Sequence, residues 1–153
     1  MGEEGLNPEF KRCLEKGKIV TFAKGPSLVS KELDSANDDL AASKDSLASG
    51  NYKWATIQAY YSMFHRARAL IYAKKYREKS HYCLVVALEH LYVTKGLLEK
   101  SFVESLMIGK EMRESADYRS SFSKEGAENL IKAAGDFRDS AGKLLKEREV
   151  GRP

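Results

Sequence analysis

The segment KKYREKSHY, Lys74 to Tyr82, gathers the side chains best suited to chemistry. Arg77, Lys79, Ser80 and His81 fall together where one helical pattern ends and the next begins. Cations beside free amides at a helix N-terminus favour a phosphate. A histidine there has the proton affinity of a general base or acid, and an arginine can stabilise charge developing on phosphorus. On composition alone, a solvated basic turn, with Ser80 as helix cap and His81 in the first turn, is the better account of the same residues.

A second cluster lies on two other helical patterns. Arg68 interrupts a bulky stripe of Trp54, Ile57, Tyr61, Phe64 and Ile71. A charge in that position cannot be buried alone, because losing its hydration costs several kcal/mol. It must meet a carboxylate or reach a cleft. Further on, the apolar stripe Phe102, Leu106 and Met107 continues as Lys110, Arg113 and Asp117. Arg113 and Asp117 are four apart, so they share a face and are expected to pair. This is either a structural ion-pair network at a bundle end or a polar functional cleft.

Other chemistries find no support. His65, His81 and His90 match no metal-binding spacing, and neither a metal nor a cofactor is expected. No glycine-rich phosphate loop follows a strand, because the patterning predicts no strands. Cys13 and Cys83 stand far apart in sequence and read as two reduced thiols. The net charge of +4 and a pI near 9.0 are compatible with an acidic partner such as RNA but do not require one. No apolar run approaches the roughly 20 residues of a membrane span. The start, MGEEGLNPEF, is unlike a signal peptide, so a cytoplasmic location is expected.

The elements that must position these residues are helices. With 153 residues, 42% hydrophobic and 31% charged, the chain suits one globular domain. Prolines stand only at 8, 26 and 153. Between them, apolar residues recur every three or four positions, which predicts helices throughout. Residues 1–29, broken by Gly17, Gly25 and Pro26, read as an arm or a short helix plus loop. The bundle spans 30–148, and 149–153 form a tail. Helix one is expected from about Ser30, its cap, to Ala48. Helix two runs from its Asn51 cap to about Lys75. Helix three follows Ser80 to near Lys95. Helix four covers about Glu99 to Ala116. Helix five opens at Ser123 and carries Leu130, Ala134, Phe137, Ala141 and Leu144. Short connections make neighbours antiparallel. The predicted fold is all-α, an antiparallel up-and-down bundle of four to five helices. Helix two also carries a second stripe of small residues, Ala55, Ala59, Ser62, Ala69 and Ala73. One of its two faces is expected to form a homodimer seam.

The stretch NYKWATIQAYYSMFHRARALIYAKKYREKSH, with the later Arg113–Tyr118 segment RESADY, resembles the HEPN superfamily. The resemblance covers about Ser30 to Lys146. It is nearest a prokaryotic branch related to toxins that pair with minimal nucleotidyltransferases. It implies a dimeric bundle and one of two activities. One is a non-catalytic module that binds a nucleotide or RNA, or docks such a nucleotidyltransferase. The other is a metal-independent RNase using His81 for proton transfer and Arg77 for phosphate charge. Lys79, Ser80, Arg68, Arg113, Asp117 and Tyr118 would then surround the ligand. Active RNases of the superfamily separate arginine and histidine by four to six residues. This chain has three between Arg77 and His81, and Lys74 and Lys75 stand at the longer spacing. A purely structural helical dimer is the third reading.

Overall fold

The computed structural model describes residues 6–119 and 122–150, and the side chains of 6–114 and 122–146. Asn7 opens the first helix, α1 (Pro8–Glu15). Its side chain accepts hydrogen bonds from the Glu9 and Phe10 amides, and Pro8 takes the first turn, where a missing N–H is harmless. Strand β1 (Ile19–Thr21) follows, then α2 (Gly25–Ala48), α3 (Tyr52–Ala73) and strand β2 (Tyr76–Glu78). Helix α4 (His81–Leu88) runs into a wider π turn over Glu89–Val93. Helices α5 (Lys100–Arg119) and α6 (Lys124–Val150) complete the chain. The fold is all-α apart from the small ribbon.

Helices α2, α3, α5 and α6 form the bundle, and α3 touches the other three. Its small stripe explains this. Ala55, Ala59, Ser62 and Ala69 are fully buried and let α2 approach closely. The Ser62 hydroxyl donates to the Ala36 carbonyl, and the Ser43 hydroxyl donates to the Ala55 carbonyl, each at 2.8 Å. On α6, Leu130, Ala134, Phe137 and Ala141 are buried as the stripe predicts, with Phe137 stacked on Phe102 of α5.

Four expectations are corrected. Helix α2 starts at Gly25, not at a Ser30 cap, because Pro26 sits in its first turn and initiates it. Gly25 is required there: a Cβ would land on the Tyr72 carbonyl oxygen at the end of α3. A ribbon exists where no strand was predicted. Val20 pairs with Arg77 in an antiparallel register, a pairing too short for a period-two pattern to show. Met107 is not in the core but half exposed. Cys13 and Cys83 form a disulfide, their Cα atoms 5.9 Å apart, joining α1 to α4. The two cysteines are 70 residues apart in sequence, so only the folding of the N-terminal segment onto the bundle could reveal the pair. Phe10 drives that folding. It is fully buried, stacks on His90 and meets Tyr76 edge-on.

Candidate functional site

The turn entering α4 is built as a cap. Ser80 accepts from the Cys83 amide at 3.2 Å, so its hydroxyl completes the first turn. Lys79 is exposed, and its amide donates to the Lys18 carbonyl across the ribbon at 2.8 Å. Strand alternation then decides the fate of Arg77. Glu78 points inward and is buried, so Arg77 points outward. Its guanidinium lies 5.6 Å over the Phe22 ring. His81 instead faces Tyr60, with ring centroids 6.0 Å apart. The structure therefore does not unite Arg77 and His81 in one site.

The cation that does influence His81 is Lys110 of α5. Burial first, then the Lys110 charge, push the imidazole down to about 4, with Glu114 partly opposing them. His81 is thus neutral near pH 7. Its Nε2 atom is buried and has no hydrogen-bond partner among the described residues. Burial also pushes the neighbouring Tyr60 hydroxyl up to about 12, against the pull of Arg113.

Beside Tyr60 runs a ladder of aromatics and arginines. Arg113 lies 5.3 Å over the Tyr61 ring, and Arg68 lies 4.5 Å over Phe64. Both rings are half-buried on the outer side of α3. Arg68 also grips the buried Glu78 through two hydrogen bonds of 3.2 and 2.9 Å, with Glu32 at 3.9 Å. Burial works against the Arg68 charge, but Glu78 outweighs it and holds the guanidinium above its usual value. Glu32 in turn receives His65 at 2.6 Å. The carboxylate that Arg68 needed therefore comes from β2 and α2, not from α5. The Asp117 and Tyr118 side chains, and with them the expected Arg113–Asp117 pair, lie outside the described residues.

Sequence reasoning missed Glu78, Glu32 and Tyr60. Glu78 was within the singled-out segment, but only the strand shows that it faces Arg68. Among the described residues, no cluster of three His, Cys, Asp or Glu is placed to hold a metal, and no helix is long and apolar enough to cross a membrane.

Two relatives come from Methanocaldococcus jannaschii. "Putative toxin MJ0605" is 30% identical over 116 residues, covering 75% of this chain and 87% of the relative. "Putative toxin MJ0142" is 26% identical over 122 residues, covering 78% and 83%. The family model of the HEPN domain matches residues 29–144, which take in all of α3, the ribbon strand β2 and α4, and nearly all of α2. The chain belongs to the HEPN family.

Proposed function

We propose that this protein is a toxin-type HEPN module that engages RNA through the arginine–aromatic ladder on α3 and α5. The observation that carries the reading is the stacking of Arg113 on Tyr61 and Arg68 on Phe64, with both rings partly open to solvent. Single-stranded RNA is held by bases stacked on aromatic or guanidinium planes and by cations on its phosphates. Family membership and the toxin names of the two relatives support the biological side of the reading.

The working form is a homodimer. The small face of α3 is consumed inside the bundle, so a seam on this helix has only the bulky face to use. Trp54, half exposed, and Ile57 form that seam, and Tyr61 and Phe64 border the cleft beside it. A minimal nucleotidyltransferase is the partner suited to such a toxin.

Binding is tested with a labelled single-stranded RNA oligonucleotide. Tyr61→Ala should weaken binding about 5- to 100-fold, the range of one lost base stack. Arg113→Ala should weaken it and reduce the salt slope by about one. Wild-type affinity in both variants contradicts the reading.

Cleavage is a second reading, favoured by the neutral His81 whose Nε2 is unpartnered among the described residues. It assigns proton transfer to His81 and phosphate charge to Lys110 rather than Arg77. In EDTA, cleavage by wild type and by Arg77→Ala, but not by His81→Ala, supports it. Cleavage that survives His81→Ala removes it.

A further inference from the structure

A groove of about 700 Å³ opens between the start of α1, α4 and the outer face of α5. Its lining shares no residue with the ladder, although Glu114 adjoins Arg113 on α5. Its floor is apolar. Val85 and Val86 lie at its base, and Tyr82, Met107 and Ile108 are each more than half exposed. Positions 104, 107, 108 and 111 of α5 are all exposed and fall on one helical face. Met107 and Ile108 at that spacing would ordinarily be core residues, yet none of the described residues covers them.

The rim is acidic. Glu9, Glu89, Glu104, Glu111 and Glu114 surround the groove, against Lys110 as the one lysine or arginine among the described lining residues. Glu9 is held by Arg12 and Tyr82, and Glu114 by Lys110. Glu89, Glu104 and Glu111 make no ion pair among the described residues. This concentration of negative charge sits on a chain whose net charge is +4.

Charge and shape together select the occupant. Such a rim repels RNA, so this proposal goes with RNA held on the ladder and not with the cleavage reading, whose His81 and Lys110 line this groove. A second copy packed groove to groove would set carboxylates opposite carboxylates, because a two-fold contact brings the same patch to both sides. The volume lies within the roughly 300–1,000 Å³ of ordinary binding pockets, enough for a few side chains from one helix face. We propose that the groove docks a basic amphipathic helix from a partner protein. Its apolar stripe would lie on Val86, Met107 and Ile108, and its lysines or arginines would meet Glu89, Glu104 and Glu111. A helix so placed covers His81, which lines the same groove.

The test uses the intact protein and two fluorescent peptides of about 18 residues, or five helical turns. One carries leucines at helical spacing with lysines elsewhere, and the other has glutamate in place of each lysine. Anisotropy should show the lysine peptide binding and the glutamate peptide failing. Affinity for the lysine peptide should fall by at least about tenfold in Glu104→Lys/Glu111→Lys and in Met107→Asp/Ile108→Asp, the scale of one lost charge or apolar contact. These positions are exposed, so an unchanged circular dichroism spectrum is expected, and RNA binding through Tyr61 and Arg113 should persist in both variants. Several results overturn the proposal: no binding of the lysine peptide, equal binding of both peptides, or affinity unchanged in the charge-reversed variant. Displacement of the peptide by RNA assigns the groove to nucleic acid instead. Loss of a wild-type dimer on Met107→Asp/Ile108→Asp assigns it to a second copy.

Discussion

His81 shows how one residue's surroundings limit its chemistry. Its ordinary pKa is 6.5, and in the folded chain burial and then Lys110 push it to about 4. Between those two values the unfolded chain takes up a proton that the folded chain refuses. The stability contributed by neutral His81 is therefore complete above about pH 6.5 and is lost as pH falls towards about 4. Replacing it with an uncharged residue should flatten that part of the profile. Thermal melts of wild type and His81→Gln, compared from about pH 7 down to about pH 5, should show a stability gap that narrows or reverses on the acid side. The comparison isolates His81 from His90, whose value is also lowered by burial. Parallel profiles would contradict the buried, neutral assignment.

Much at this scale was legible in the sequence. Asn51 and Ser80 cap their helices as their positions suggested, because a cap depends on residues within one turn. Arg77 was misread for a reason equally local. A helical or loop segment would have let it turn towards His81, but in a strand its neighbour Glu78 takes the inward side. The disulfide was misread because its partners meet only through tertiary folding.

At the scale of the element, α3 organises the molecule. Its two faces were visible in the sequence, but which one was buried inside the bundle was not. The small face lies within the bundle because hydroxyls and methyl groups let two backbones approach, as the Ser62 and Ser43 hydrogen bonds to α2 show. The bulky face is buried at Ile71 but stays partly exposed from Trp54 to Phe64, and the proposed dimer seam uses that part. Trp54→Glu should then convert a dimer to a monomer in analytical ultracentrifugation. Helix content should be unchanged, because Trp54 is already 50% exposed and exposed substitutions cost little. A monomeric wild type, or a dimer that survives the substitution, would contradict the seam. The bundle helices were legible because their periodicity is long and regular. The ribbon was not, since three-residue strands leave no periodic trace.

At the scale of the whole molecule, cations and carboxylates among the described residues are unevenly placed, although Glu78 and Glu32 answer Arg68. Arg68 and Arg113 lie on the aromatic side of α3, while five carboxylates ring the groove behind α4. A net charge of +4 averages over this placement and could not reveal it. In the two proposals above, a nucleic acid and a basic protein segment approach different sides of one small domain, and His81 lines the groove while facing Tyr60.

The most direct test of the RNA reading is where RNA touches the protein. Photo-cross-linking of a 4-thiouridine-labelled single-stranded RNA, followed by mass spectrometry of the adducts, reads this position. The account predicts adducts on the α3 segment that carries Tyr61 and Phe64, abolished by excess unlabelled RNA. Adducts confined to the Arg77–His81 turn or to the groove at Met107 and Ile108, with none on α3, would contradict it.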